Sequence, residues 1–135
     1  MTGEPTERSY LLDTHVAIFS MSQSTSLSSE AKRAIAKGRN VLSVVVYWEV
    51  MLKSMKGLLD VGDPRDWWRE ALEQLAATPL TFKPGHIAGL YALPVIHRDP
   101  FDRILIAQSI VEGLTLVTAD AELARYSQSG LQLVI

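Results

Sequence analysis

The sequence has 135 residues, of which 47% are hydrophobic and 21% charged, and its formal net charge is −2. This length and composition fit one globular domain. The absence of cysteine excludes disulfides, thiolate zinc sites and a cysteine nucleophile, and every apolar run is far shorter than the ~20 residues of a membrane-spanning helix.

The amino-terminal segment, residues 1–8, is polar and predicts a flexible arm that precedes a single domain at residues 9–135. The segment has no apolar stretch of the kind that marks a secretory signal. Together with the lack of cysteine, this favours a cytoplasmic protein with no membrane association.

Strand and helix patterns alternate through the first half of the domain. A short strand is expected at residues 10–12 and is followed by a helix. Ser28 is the expected N-cap of the next helix, which Gly38 ends. The β-branched run at residues 41–46 predicts a strand buried on both faces. The segment YWEVMLKSMK then has helical spacing and ends at Gly57.

The second half of the domain repeats this alternation. Its expected elements are a helix opened by Asp63 and Pro64, a strand at 80–82, a helix after Pro84, a helix from Asp99-Pro100 to Gly113, a strand at 114–117, a short helix at 121–126 and a strand at 131–135. This order predicts an α/β fold with a largely parallel sheet.

Four acidic residues lie where predicted strands end or predicted helices begin. They are Asp13, Glu49, Asp102 and Asp120. Open parallel sheets bind ligands at the carboxyl ends of their strands, and carboxylate oxygens are the ligands that a hard divalent cation prefers. We therefore expect the four side chains to form a metal site.

Each of these acids also has a structural interpretation. Asp13 and Asp120 suit N-caps, Glu49 is favoured in the first turn of a helix, and Asp102 could belong to a capping box. Thr14 could replace Asp13 as a cap, and Asp99 caps the later helix better than Asp102. Asp13 and Asp102 would then not be needed as caps and could point toward the edge of the sheet.

Other side chains give weaker signals. His15 is expected to line the same cleft, whereas His86 and His97 show no metal-ligand spacing and are interpreted as core or surface residues. Lys53 and Lys56 follow Glu49 closely and predict a track for phosphate groups.

The three tryptophans favour burial in the core or a subunit interface over base stacking. They are Trp48, Trp67 and Trp68. No phosphate-binding loop of the GxxxxGK[ST] type and no GxGxxG motif is present, which excludes nucleotide binding of those kinds.

Three segments carry a family resemblance: LLDTHV, YWEVMLKSMKGLL and HRDPFDRILIAQSIVEGLTLVTAD, in this order. Through them, residues 10–135 resemble the PIN-domain ribonucleases, specifically the VapC-type toxins of bacterial type II toxin–antitoxin systems. The resemblance implies a PIN (Rossmann-like) three-layer fold, in which helices flank a mostly parallel central sheet.

The resemblance also implies roles for individual residues. The catalytic and metal-binding residues would be Asp13, Glu49, Asp102 and Asp120, with support from Thr14, Thr118, Asp99 and Arg103. Asp13, Asp102 and Asp120 would hold Mg²⁺ or Mn²⁺ directly, and Glu49 would bind the ion directly or through water. Arg103 and Asp99 would orient ligands or meet phosphate.

The implied activity is metal-dependent hydrolysis of RNA that inhibits translation and leaves 5′-phosphate and 3′-hydroxyl ends. The implied partners are the RNA substrate, a VapB-type antitoxin and a second copy of the chain. A housekeeping RNA-maturation nuclease and a non-catalytic RNA-binding PIN scaffold remain as alternatives. A phosphatase of the haloacid-dehalogenase kind is disfavoured because His15 stands where those enzymes carry a second aspartate.

Overall fold

A computed structural model of the protein describes residues 8–22, 26–97 and 99–135. The expected arm at residues 1–8 lies outside these ranges except for Arg8. Within them, the sheet consists of β1 (Ser9–Leu12), β2 (Arg39–Ser43), β3 (Thr78–Leu80), β4 (Thr115–Val117) and β5 (Gln132–Val134). All neighbouring strands are parallel, in the order β3-β2-β1-β4-β5, which confirms the predicted α/β class.

Helices connect the strands. In the described ranges they are α1 (Thr14–Met21), α2 (Ser29–Lys37), α3 (Val44–Met55), α4 (Pro64–Gln74), α5 (Pro84–Tyr91), α6 (Pro100–Glu112) and a 3₁₀ helix (Ala121–Ser129). The side chains of Ser28, Asp63 and Asp99 cap α2, α4 and α6 as predicted. None of these helices is both long and apolar enough to cross a membrane.

The strand predicted at residues 41–46 is wrong in its second half, because α3 begins at Val44. The hydroxyl of Ser43 accepts a hydrogen bond from the Val45 amide at 3.0 Å and caps the helix. Val45 and Val46 are buried in that helix. A short apolar β-branched run suits a buried helix as well as a buried strand, so tertiary packing overrode the strand propensity.

The third strand begins two residues earlier than predicted. It pairs with β2 through Leu42 opposite Pro79 and Ser43 opposite Leu80. Proline lacks an amide donor and is tolerated in β3 because this strand forms one edge of the sheet.

The core lies on both faces of the central strands β1 and β4. Leu11, Leu12, Leu116 and Val117 are fully buried there. The indole of Trp67 is also buried in this core, as the sequence predicted. The core thus fixes the two strands whose carboxyl ends carry the acidic residues.

Candidate metal centre

The pairing of β1 with β4 brings two acidic segments to one edge of the sheet. Leu12 lies opposite Val117, and the Asp13 amide donates a hydrogen bond to the Val117 carbonyl at 3.0 Å. A cleft of about 340 Å³ opens at this edge. It is lined by Asp13, His15, Phe19, Asp102, Ala119 and Asp120. Three of the four predicted acids, and His15, therefore lie at one cleft.

Asp13 is only 4% exposed, and it both lines the cleft and caps a helix. Its Oδ1 accepts a hydrogen bond from the Val16 amide at 2.9 Å, so it caps α1 itself. Burial raises the pKa of the Asp13 carboxyl, and hydrogen bonds from Thr118 and the Val16 amide oppose that rise. The expectation that Thr14 would take over this cap is wrong.

Thr14 instead supports Glu49. Its hydroxyl donates to Glu49 Oε1 at 2.5 Å, and the Lys53 ammonium lies 2.7 Å from Glu49 Oε2. Glu49 is 1% exposed, so both of its oxygens are engaged inside the protein. The pKa of Lys53 is raised, first by Glu49 and further by Asp99 and Asp102, which places this ammonium within electrostatic reach of the cleft.

Asp102 extends from the first turn of α6 and contacts a histidine. Its Oδ2 lies 2.7 Å from His97 Nε2, and the same nitrogen lies 3.7 Å from Asp120 Oδ2. Burial raises the pKa of Asp102 to about 6, and the charges of Asp99 and Asp13 add to this rise, while the bond to His97 opposes it. His97, for which the sequence predicts only a core or surface position, therefore lies beside two of the cleft's carboxylates.

The sequence contains a signal for this placement of His97. The residue stands in the HRDPFDR block, five positions before Asp102. Asp99 caps α6 with its side chain, so His97 precedes the helix and Asp102 lies in its first turn. The two side chains meet beside the start of the helix.

Asp120 and Thr118 complete the edge of the cleft. Asp120 Oδ1 accepts from the Glu122 amide at 3.0 Å and caps the 3₁₀ helix, while its Oδ2 faces His97. The Thr118 hydroxyl accepts from the Asp120 amide at 3.0 Å and also bonds the Asp13 carboxyl. Thr118 thus links the first and last aspartates.

Arg103, for which a supporting role is expected, contacts the loop before α6. Its Nη1 donates to the Pro94 carbonyl at 2.9 Å and to the Tyr126 hydroxyl at 3.3 Å. These contacts fasten the loop that leads to His97. Arg103 therefore holds the loop before α6 in place.

The donor set fits a hard divalent ion. His97, Asp102 and Asp120 can present ligand atoms that all lie within 4.8 Å of one another, and Asp13 lines the same cleft. The raised pKa values of Asp13 and Asp102 reflect negative charge that is poorly solvated. A cation at this point would relieve that cost and is often the largest local charge in such a site.

Solved structures with a similar fold include the VapBC2 complex of Rickettsia felis bound to a promoter DNA fragment, with 16% identity and a TM-score of 0.68 over 93% of this chain and 97% of that one. A toxin–antitoxin complex of Klebsiella pneumoniae has 20% identity and a TM-score of 0.62, covering 93% and 96%. VapBC-5 of Mycobacterium tuberculosis has 17% identity and a TM-score of 0.62, covering 93% and 97%. Identities this low show a shared fold alone.

The sequence itself gives the family. No protein with a curated description matches it. The family model described as the PIN domain matches residues 10–128, a span that includes both sides of the acidic cleft. The chain therefore belongs to the PIN domain family.

Proposed function

We propose that this protein is an Mg²⁺- or Mn²⁺-dependent endoribonuclease toxin of the VapC type, which hydrolyses RNA phosphodiester bonds in the cytoplasm and so inhibits translation. The observation that carries the proposal is the convergence of Asp13, Asp102 and Asp120 on one cleft. Membership of the PIN family and the fold shared with VapBC complexes support it.

In this proposal Asp13, Asp102 and Asp120 hold the metal. When bound, it supplies Lewis-acid activation of a water molecule and neutralises charge on the phosphoryl oxygens. Glu49 acts through water, because Thr14 and Lys53 already occupy its two oxygens.

The surrounding residues keep these acids in place. Thr118 joins the Asp13 carboxyl to the Asp120 backbone. Asp99 caps α6 and so fixes the turn of helix from which Asp102 extends. Lys53 is ion-paired with Glu49. Of the two lysines, the exposed Lys56 is therefore the one that contacts a neighbouring phosphate.

The direct test is Asp13→Asn, assayed for RNA cleavage with Mn²⁺ or Mg²⁺ supplied. We expect cleavage to be lost, because an amide cannot replace a charged metal ligand. Asp66→Asn is the matched control, since Asp66 is ion-paired with Arg69 on the exposed face of α4. Undiminished cleavage by the Asp13 variant would reject the assignment.

A cognate VapB-type antitoxin is the proposed regulator, and it would bind across the acidic cleft. Co-expression with the product of an adjacent short reading frame should restore growth and block cleavage. A housekeeping RNA-maturation enzyme would show no such neutralisation. A non-catalytic scaffold would bind RNA without cutting it in the presence of either metal.

A homodimer is also part of the proposal. Trp67 is buried in its own core and cannot supply the contact. Trp48 can, because it is 49% exposed on α3 with Met55 and Leu58 also exposed nearby in the chain. Light scattering should give the mass of a dimer, and Trp48→Ala should shift that mass toward a monomer.

A further inference from the structure

The acidic cleft contains a nitrogen donor that the oxygen-ligand description leaves out. We propose that His97 is a metal ligand in this cleft and that it biases the site toward transition ions such as Mn²⁺ and Co²⁺ over Mg²⁺. This inference rests on the proposed metal-dependent function and specifies the chemistry of its ion.

The spacing around His97 Nε2 is close to the spacing between neighbouring ligands of one ion. The nitrogen lies 2.7 Å from Asp102 Oδ2 and 3.7 Å from Asp120 Oδ2. Ligands held about 2.1 Å from one octahedral ion lie about 3 Å from their nearest neighbours. The two observed distances fall on either side of that value, so small side-chain rotations would bring all three atoms onto one ion.

A second contact set fixes the position of His97. The hydroxyl of Tyr126 accepts hydrogen bonds from the backbone amides of His97 at 2.7 Å and Ile96 at 3.3 Å. Arg103 Nη1 donates to the same hydroxyl and to the Pro94 carbonyl. Tyr126 is fully buried, so this anchor is rigid.

The anchor has a consequence for binding. A ligand whose backbone is already held loses less conformational freedom when an ion arrives. The His97 ring itself is only 27% exposed, which restricts it further. Tyr126 is therefore a positioning residue for His97.

The identity of the donor predicts ion selectivity. Mg²⁺ is bound by oxygen ligands and retains much of its water, whereas imidazole is a favourable ligand for first-row transition ions. Loss of the imidazole should therefore weaken binding of Mn²⁺ and Co²⁺ and leave binding of Mg²⁺ nearly unchanged.

The experiment is calorimetric titration of the full chain with Mn²⁺, Co²⁺ and Mg²⁺ separately. For His97→Gln we expect the Co²⁺ and Mn²⁺ affinities to fall at least about 10-fold, since even indirect partners of metal ligands cost about 10–100-fold. The Mg²⁺ affinity should change less than about 3-fold. His15→Gln is the matched control, because His15 lines the same cleft outside the three-residue cluster, and it should not alter the ratio.

Tyr126→Phe tests the anchor separately. It should lower the Co²⁺ affinity less than His97→Gln does, with an unchanged visible spectrum of bound Co²⁺, because the imidazole remains. His97→Gln should alter that spectrum. Thermal unfolding of the metal-free variants identifies any that fail to fold, and His97→Asn then replaces the glutamine variant.

Either of two results with His97→Gln would overturn the inference. One is an unchanged Co²⁺-to-Mg²⁺ affinity ratio in His97→Gln, and the other is a Co²⁺ spectrum that the substitution does not alter. The titration measures ion binding and not RNA cleavage, so the two proposals can fail separately. A protein that binds ions selectively through His97 but leaves RNA intact would refute only the proposed function. A protein that binds none of the three ions would refute both.

Discussion

Two histidine–carboxylate pairs in this molecule have nearly the same geometry and opposite surroundings. His97 Nε2 lies 2.7 Å from Asp102 Oδ2 in the cleft, and His86 Nε2 lies 2.8 Å from Glu112 Oε2 between α5 and α6. His86 is fully buried, and its Nδ1 accepts from the Lys83 amide at 3.0 Å. The second pair has partners on both ring nitrogens.

The carboxylates distinguish the two pairs. The hydrogen bond from His86 lowers the pKa of Glu112, with a further contribution from Lys83. At Asp102, burial outweighs the bond to His97 and raises the pKa to about 6. A short distance alone therefore does not reveal a role. The His86–Glu112 pair joins two helices, whereas the His97–Asp102 pair stands in unbalanced negative charge, which is typical of functional sites.

The largest expected difference between the pairs is catalytic. Asp102→Asn should reduce RNA cleavage in Mn²⁺ at least about 100-fold, because it removes a metal ligand whose ion stabilises transition-state charge. Glu112→Gln should leave the rate within about 2-fold. Cleavage of a labelled RNA by both purified variants checks this, and equal losses would contradict the distinction.

Removal of the buried histidine should have the next largest effect. His86→Ala should lower the free energy of unfolding by roughly 2–4 kcal/mol, since it leaves a cavity and unpairs the Lys83 amide and Glu112. Urea unfolding measures the change. His15→Ala, at an exposed position in the cleft, is the control and should cost less than about 0.5 kcal/mol. Similar losses in both variants would show that the His86 contacts are unimportant.

The pH dependence of stability should separate the pairs further. In metal-free protein the folded state holds a proton on Asp102 at pH values where the unfolded state has released it, because the pKa is about 6 instead of 3.8. Stability from this group should therefore rise, by at most about 3 kcal/mol, as the pH falls from about 6 toward 4. Asp102→Asn should abolish that rise.

Glu112 should have the opposite sign in a lower pH window. Its folded pKa lies below 4.5, so its contribution is present above that value and is lost as the pH falls through the folded pKa. Urea unfolding of metal-free wild type, Asp102→Asn and Glu112→Gln at several pH values tests both statements. Identical pH profiles for wild type and Asp102→Asn would refute the Asp102 contribution.

The smallest expected effect is that of Glu112→Gln on stability. The side chain is 28% exposed, and a neutral amide can still accept the His86 hydrogen bond. We expect a loss of about 1 kcal/mol or less in urea unfolding. A loss as large as that of His86→Ala would mean that the charge of Glu112, not the burial of His86, holds α5 against α6.

Much of the fold could be predicted because its signals are local. Ser28, Asp63 and Asp99 cap helices where the sequence places them, and each needs only the amides two or three residues ahead. The alternation of strands and helices likewise predicted the parallel sheet. The strand predicted at residues 44–46 was wrong because burial in a helix and burial in a strand select the same apolar side chains.

The candidate site could be predicted only in part. Acids at strand ends indicated which segments meet, since parallel strands share one carboxyl edge. The roles of Thr14 and Arg103 could not be predicted, because their partners Glu49 and Tyr126 lie 35 and 23 positions away in the chain. Nor could sequence reveal that Asp13 caps a helix and also lines the cleft.

The sequence by itself determined the fold class, the family resemblance and the set of acidic residues, because caps, periodicity and motifs depend on neighbours along the chain. Only the tertiary structure decided which carboxylates share a cleft and which histidine joins them. Desolvation and charge repulsion, which raise the pKa values of Asp13 and Asp102, exist only after distant segments pack together. For the same reason His86 and His97, alike in sequence reasoning, have different roles in the folded protein.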